Sequence, residues 1–384
     1  MKFEFMTANR IIVESGGIDK LGELTKPFGN HVLLACRSNS SSTDKAIRML
    51  EQAGLKVTPA FVKGEPTVDA LNQTLTIAKK NNVDVVVSVG GGSVLDTGKM
   101  IAALMTNEGD IMDYVEVIGK GMPLTKPSLP FIAVPTTSGT GAEVTKNGVV
   151  SSVEHHLKVS LRSPYMLADV VLIDPQLTIS VPKNITASTG LDALTQVIEP
   201  YVSNHANPIT DAFAIEGLKR IARSLKTAYD YPDDIQARED MAVGSLFGGL
   251  ALANAKLGAV HGFAGVLGGM YTIPHGIVCA RLLPYVVKAN IQALKEREPQ
   301  HPSLLKFDEI AKIVADNPSA TALDSVSWLE ELCTYFEIPA LSTFDIHKKD
   351  FDDIVEKSKQ SSSMKGNPIV LTDDELKNIL KQAL

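Results

Sequence analysis

An aspartate and two histidines give this chain the residue types of a metal site. Asp192 lies in GLDALTQVIEPYV (190–202), a helical pattern in which Gln196 follows one turn later. Residues four apart on a helix share a face, with their Cβ atoms about 5–6 Å apart. A helical metal site favours histidine at the second position, because a glutamine carbonyl oxygen is a neutral and much weaker ligand for Fe²⁺ or Zn²⁺. The glutamine leaves the metal's identity and affinity open.

The two histidines lie farther along, His261 in HGFAGVLGG and His275 in IPHG. One regular helix cannot carry both, because Gly268, Gly269 and Pro274 interrupt the segment between them. Each histidine alone is more typical of a hydrogen-bonded core or cleft residue.

Two glycine-rich loops are candidates for binding phosphate. SVGGGSVLDTGK (88–99) joins an apolar strand to a helix, and PTTSGTGAEVT (135–145) follows the apolar run FIAV (131–134). Glycines let a backbone approach a phosphate, and a helix N-terminus offers free N–H groups. The first loop matches neither Walker A nor GxGxxG, and alone a tight turn explains it equally well. Two such loops at the carboxyl ends of parallel strands favour a dinucleotide site.

Strand and helix patterns alternate through the first half of the chain. The predicted strands are HVLLAC (31–36), KVTPAFV (56–62), VDVVVSVG (83–90), FIAV (131–134) and DVVLID (169–174). This alternation predicts a doubly wound parallel sheet, a Rossmann-like α/β domain. After Pro182 helical periodicity dominates. We predict an α/β domain over 1–180 and an all-α domain over 181–384.

Composition narrows the function classes. The 384 residues carry a net charge of −7, which argues against a nucleic-acid partner. The cysteines are odd in number, far apart and in no CxxC pair, which favours a reducing, cytoplasmic compartment. The charged N-terminus MKFEFMTANR does not resemble a signal peptide. Residues 247–274 hold one formal charge but also seven glycines, so we expect buried helices there and no membrane span.

The order of the motifs identifies a family. GGGSxxDxxK, PTTxGTGxE, DPxL, GxDAL, and HG followed by PHG fourteen residues later resemble the iron-containing (group III) alcohol dehydrogenase family. The resemblance extends from the N-terminal strand region to about residue 285. It implies a dehydroquinate-synthase-like two-domain architecture, in which a dinucleotide-binding domain and a helical metal-binding domain enclose a cleft where a hydride moves.

The resemblance also assigns roles to individual residues. In the nucleotide site, the first loop would hold the pyrophosphate, the second would line the nicotinamide ribose, and a lysine would reach in from the next strand. These cofactor residues are Gly91, Gly92, Ser93, Asp96, Thr136, Thr137, Ser138 and Lys158. The implied metal ligands are Asp192, Gln196, His261 and His275, with the two histidines also catalytic and brought together by the fold. Because glutamine is a weak ligand, the resemblance leaves an aspartate and two histidines with an open position, the usual count for a catalytic metal.

Three positions depart from the family or leave its pattern open. NAD-preferring members place an acidic residue where this chain has Arg37, in LLACRSNSSS. Arginine can bind a 2′-phosphate through paired hydrogen bonds, and the alternative is a solvated loop arginine. On the first interpretation we expect NADP(H) in preference to NAD(H). Gly265 replaces a proposed proton-relay histidine, so a relay would use another group or water. Cys279, one turn after His275, is a conceivable soft ligand but is more typical of a packed thiol.

These observations predict an NAD(P)-dependent alcohol dehydrogenase or carbonyl reductase, acting on a small alcohol or aldehyde and expected to be a homodimer. A bound Fe²⁺ or Zn²⁺ would act as a Lewis acid while hydride passes to or from the nicotinamide. The alternatives are a metal-independent NADPH carbonyl reductase, a metal-assisted dehydroquinate-synthase-like enzyme, and a nucleotide-binding protein without turnover. The dense Lys/Arg set of the synthases is absent near the two histidines.

Overall fold

The computed structural model describes residues 2–152, 154–155 and 157–384. They divide into two compact units, one covering Met6–Val181 and the other Pro182–Leu384 together with residues 2–5. The division at Val181 lies one residue beyond the predicted boundary. The first few residues were expected in the α/β domain, but they belong to the helical unit. The reason is aromatic packing: the ring of Phe5 stacks on that of Phe213 with centroids 5.8 Å apart.

The described strands of the first unit form a six-stranded parallel sheet and a separate hairpin. The sheet has the order β1-β8-β5-β4-β2-β3, and β6 pairs antiparallel with β7. The strands are β1 (Arg10–Val13), β2 (His31–Cys36), β3 (Lys56–Phe61), β4 (Val85–Gly90), β5 (Phe131–Pro135), β6 (Asn147–Ser152), β7 (Leu157–Arg162) and β8 (Val170–Ile173). The predicted α/β fold with a parallel sheet is confirmed.

Helices connect these strands. They are α1 (Leu21–Thr25), α2 (Ser41–Gln52), α3 (Val68–Asn81), α4 (Gly92–Thr106) and α5 (Ile111–Tyr114). Strand β4 is buried along its whole length, as its unbroken apolar pattern predicted. Its neighbour β5 is buried at every residue, and β2 at every residue except His31, so the centre of the sheet holds the loops that follow these strands in fixed positions.

A buried lysine joins the two glycine-rich loops. Lys99, on α4, is 1% exposed, and its Nζ donates to the carbonyl oxygens of Ala142 at 2.7 Å and Asn147 at 2.6 Å. It also donates to Thr145 Oγ1 at 2.9 Å and lies 3.3 Å from a carboxylate oxygen of Asp96. A buried ammonium requires such partners. The lysine therefore ties the helix after the first loop to the end of the second loop.

The helical unit is built around α6. Its helices are α6 (Lys183–Val202), α7 (Pro208–Asp230), α8 (Ile235–Ala255), α9 (Ala259–Met270), α10 (His275–Arg297), α11 (Ser303–Val314), α12 (Ala322–Tyr335), α13 (Phe351–Gln360) and α14 (Asp373–Ala383). Helix α6 packs against α7, α8 and α10 and is buried on nearly all sides from Thr186 onwards. Polar residues on α6 are therefore held in a dry environment.

The apolar helices of this unit lie in its core. Helix α10 is long and apolar enough to cross a membrane, but 67% of its most apolar window is buried within the protein. Helices α8 and α9 pass the same test only as a pair and meet at 97°. These are the properties of core helices, as expected for the segment 247–274.

Burial of Glu143 makes the stability of the first unit depend on pH. Glu143 lies in the second loop and is 3% exposed, and burial raises the pKa of its carboxyl from 4.5 to about 7, although its own backbone N–H and Lys99 act in the opposite direction. The folded state thus holds this proton more tightly than the unfolded state. By linkage, the free energy of unfolding falls as pH rises from the unfolded pKa through about 7.

We expect Glu143→Gln to remove this pH dependence. The variant should gain on the order of 3 kcal/mol relative to the unmodified protein between about pH 5 and about pH 8, because the unmodified chain must ionise a buried carboxyl. Denaturant unfolding of both proteins at the two pH values measures the difference. The exposed Glu51→Gln is the matched control. An equal stability difference at both pH values would contradict the assignment.

Candidate metal centre and cofactor loops

Four potential metal ligands converge inside the helical unit. Asp192 lies on α6, His261 on α9, and His275 and Cys279 on the first turns of α10. One ligand atom from each lies within 4.8 Å of every other. The structure therefore brings together the aspartate and both predicted histidines. It also places in the same cluster the cysteine that the sequence analysis interpreted as a packed thiol.

The distances within the cluster are short. His261 Nε2 lies 3.4 Å and His275 Nε2 3.8 Å from Asp192 Oδ1. Cys279 Sγ lies 3.6 Å from His275 Nε2 and 3.9 Å from His261 Nε2. Three of the four residues are buried, whereas the His275 side chain is 36% exposed. The cluster thus reaches solvent on the side of His275.

Glu199 orients one of the histidines, and sequence reasoning missed it. The buried Glu199 carboxylate contacts His261 Nδ1 at 2.8 Å and accepts from the backbone N–H of Val260 at 2.7 Å. This contact directs the opposite ring nitrogen, Nε2, to Asp192, which is the usual arrangement behind a metal-binding histidine. A signal was present in the sequence, because Asp192, Gln196 and Glu199 recur at helical spacing in an apolar segment.

Two buried oxygens in this region lack hydrogen-bond donors. Asp192 Oδ1 and Gln196 Oε1, one turn apart on α6, accept no hydrogen bond from any described residue. A buried acceptor without a donor is costly, and a cation would relieve that cost. Carboxylate oxygen, imidazole nitrogen and cysteine sulfur are ligands that Zn²⁺ and Fe²⁺ accept. The residues at this site therefore fit a divalent cation.

The electrostatics of the cluster follow from burial and proximity. Burial raises the pKa of Asp192, but the two histidines outweigh it and lower the pKa overall, which keeps the carboxylate ionised. Burial lowers the pKa of His261, yet contacts with Cys279, Asp192 and Glu199 raise it well above its ordinary value. Burial raises the pKa of the Cys279 thiol to about 12. Without a cation the cluster thus favours a thiol and a carboxylate.

In the first unit, the predicted cofactor residues gather at one edge of the sheet. Strands β2, β4 and β5 are neighbours, with Cys36 paired to Val89 and Gly90 to Pro135. The segments that follow these strands therefore begin side by side. They contain the exposed Arg37, the glycines and serine of the first loop, and the threonines and serine of the second loop.

The two glycines of the first loop permit close contact with the second loop. A Cβ added at Gly91 would lie 3.2 Å from Thr137 Oγ1, and one added at Gly92 would lie 2.8 Å from Thr140 Cγ2. Gly92 also begins α4, so its backbone stands at a helix N-terminus. Ser138 Oγ is buried and has no hydrogen-bond partner among the described residues. The loops thus form one surface that combines a helix N-terminus with hydroxyl groups.

Two predicted cofactor residues already have protein partners. Asp96 accepts from the backbone N–H of Val149 on β6 at 3.0 Å, and Lys158 on β7 forms an ion pair of 2.6 Å with Glu65. Asp96 therefore anchors the hairpin to α4. Gly265 is exposed, and a Cβ there would have no atom within 4 Å, so the position of the missing relay histidine is open space.

Comparison with known proteins matches both units to the same family. The family model for the iron-containing alcohol dehydrogenases matches residues 8–175, and the model for the C-terminal part of the same family matches 186–384. The chain is 34% identical to the 1,3-propanediol dehydrogenase of Klebsiella pneumoniae over 99% of this chain and 98% of that protein. It is 38% identical to alcohol dehydrogenase 4 of Schizosaccharomyces pombe over 89% and 78%.

A solved structure agrees with these matches. A 1,3-propanediol oxidoreductase superposes over the full length of both chains with a TM-score of 0.92 and 33% identity. The protein is therefore an oxidoreductase that interconverts alcohols and carbonyl compounds with a nicotinamide cofactor. The chain belongs to the iron-containing alcohol dehydrogenase family.

Proposed function

We propose that the enzyme is an NADP(H)-preferring alcohol dehydrogenase that holds one divalent cation at Asp192, His261 and His275, with Gln196 beside them. The observation that carries this proposal is the buried cluster, in which a carboxylate oxygen without a hydrogen-bond donor faces two imidazole nitrogens. Such a group of donors is costly to bury unless a cation or a proton neutralises it.

The chain's own residues would divide the work. When bound, the cation supplies a Lewis acid for the oxygen of the alcohol or carbonyl substrate. Asp192 provides the charge that holds it, and Glu199 keeps the His261 ring in the required orientation. His275, the partly exposed member of the set, lies on the side open to solvent and hence to a small substrate.

We further propose that the loops after β4 and β5 bind the dinucleotide. The N-terminus of α4 would face the pyrophosphate, since backbone N–H groups and the helix dipole both favour anions there. Thr136, Thr137 and Ser138 would contact the nicotinamide ribose. Lys158 would contact the nucleotide only after leaving Glu65, and Asp96 would act indirectly by fixing the hairpin.

We also propose that the enzyme is a homodimer and that it works in a reducing, cytoplasmic compartment. The three cysteines are free and buried, which agrees with a reducing compartment. The oligomer is testable by light scattering of the purified protein. Assays can begin with 1,3-propanediol, because that alcohol appears in the name of a relative covering nearly the whole chain.

The cofactor preference can be tested at Arg37. The side chain is exposed directly after β2, and Arg37→Asp should weaken NADP(H) binding about 10- to 100-fold while sparing NAD(H), because a carboxylate repels the 2′-phosphate. Titration of nicotinamide fluorescence measures both affinities. Arg48→Asp, with the same charge change at an exposed position on α2, should leave the preference intact. Tighter binding of NAD(H) by the unmodified enzyme would refute the assignment.

The loop contact can be tested at Gly92. A methyl group there would meet Thr140 Cγ2 at 2.8 Å, so Gly92→Ala should displace the loops and weaken cofactor binding about tenfold. Adding Thr140→Ala removes the obstructing methyl group and should restore part of the affinity. The same titration on both variants, with circular dichroism to confirm folding, provides the measurement. A folded Gly92→Ala enzyme with unchanged affinity would count against the cofactor role of this loop.

Removal of the metal tests the Lewis-acid chemistry. Exhaustive chelation should abolish turnover, and added Zn²⁺ or Fe²⁺ should restore it. His275→Ala should weaken metal binding by at least about tenfold, as loss of even an orienting partner does. The exposed His205→Ala serves as the control. If activity survives with no metal detectable by elemental analysis, the enzyme is a metal-free carbonyl reductase, and Gln196 becomes the candidate donor to the substrate oxygen.

A further inference from the structure

We propose that Cys279 is a thiolate ligand of the cation, so that the fourth protein ligand comes from α10 and not from the Gln196 position on α6. The inference rests on the proposed metal site and specifies its chemistry. Cys279 is fully buried one turn after His275, and its sulfur belongs to the four-residue cluster. The unpartnered oxygen of Asp192, 2% exposed, lies in the same cluster.

The separations fit tetrahedral coordination. Zinc–nitrogen and zinc–oxygen bonds of about 2.0–2.2 Å and a zinc–sulfur bond of about 2.3 Å imply edges of about 3.4 Å between nitrogen and oxygen and about 3.6 Å between nitrogen and sulfur. The corresponding distances here are 3.4 and 3.8 Å from Asp192 to the histidines. From Cys279 they are 3.6 and 3.9 Å. All four therefore lie within half an ångström of the edges of a zinc tetrahedron, and the substrate oxygen would bind as a fifth ligand.

Hydrogen bonding alone does not account for this arrangement. The Cys279 sulfur lies near a nitrogen of both His261 and His275, and a thiol could donate to one ring and accept from the other, but these contacts leave the Asp192 oxygen unsatisfied. Asp192 Oδ1 receives no hydrogen bond from any described residue despite lying beside both rings. A shared cation would satisfy all four atoms at once.

The charges also balance. The Asp192 carboxylate and a Cys279 thiolate would together neutralise a divalent cation, while the two imidazoles bind as neutral ligands. The sulfur–metal bond forms as the S–H bond breaks, and the proton is released to solvent. A thiolate among the ligands favours zinc, because soft sulfur ligands select Zn²⁺ over harder cations. We therefore infer a zinc preference over Fe²⁺, and Gln196 is left outside the ligand set.

The experiment uses the purified full-length chain with Zn²⁺ and with Co²⁺ as a spectroscopic substitute. X-ray absorption of the zinc form should show one sulfur scatterer at about 2.3 Å. The cobalt form should show a near-ultraviolet sulfur-to-metal charge-transfer band. Cys279→Ser should abolish that band and weaken Zn²⁺ binding by at least about tenfold. Cys333→Ser is the control, since its hydroxyl can still donate to the Ala280 carbonyl and the band should persist.

The outcomes separate this inference from the proposed function. One bound zinc with only nitrogen and oxygen neighbours, or a band that survives in Cys279→Ser, overturns the thiolate and leaves the metal site standing. No binding of either metal at the site overturns the metal site itself. X-ray absorption of the unmodified enzyme decides the ligand even if Cys279→Ser fails to fold.

Discussion

A charge taken out of water must find its partners inside the protein, and both units are organised around this constraint. In the α/β unit the buried ammonium of Lys99 is surrounded by carbonyl and hydroxyl oxygens from the segment 142–147. In the helical unit Asp192 and Glu199 place two carboxylates on a single buried helix. The Lys99 ammonium finds its partners within the α/β unit. In the helical unit, one oxygen of Asp192 accepts no hydrogen bond from a described residue, and a buried charge of this kind is more typical of a functional site than of a structural one.

The parallel sheet could be predicted because the burial of its central strands is visible in the sequence as short apolar runs. A strand buried on both faces is predominantly apolar, as β2, β4 and β5 are apart from His31 and Ser88. The residue patterns did not predict strand β1 or the hairpin β6–β7, and only the family resemblance implied a strand at the N-terminus and one carrying Lys158. Strand β1 has exposed ends and a half-buried centre, and the hairpin contains Gly148 and several serines, so neither shows a strong pattern. Their pairing depends on partners distant in sequence, which propensity does not report.

The metal cluster was predictable to the extent that residue type and order identify donors. Asp192, His261 and His275 were found in this way. The sequence indicates only a packed thiol at Cys279, because a buried cysteine is usually a small apolar residue, and the proximity of its sulfur to two rings emerges only after α9 and α10 pack together. Glu199 was missed because a side chain that orients a metal ligand carries no metal-binding pattern of its own. The cofactor role of Gly91 and Gly92 stays a prediction, and the structure adds that these glycines permit close packing against Thr137 and Thr140.

The stacking of Phe5 on Phe213 has a consequence for dividing the protein. The helical unit is discontinuous in sequence, because its body begins at Pro182 while its outermost aromatic contact comes from the start of the chain. A fragment expressed from Pro182 would leave the partly buried Phe213 without its cover, an apolar surface that invites self-association. A minimal helical unit thus needs the N-terminal segment joined to residue 182 by a designed linker.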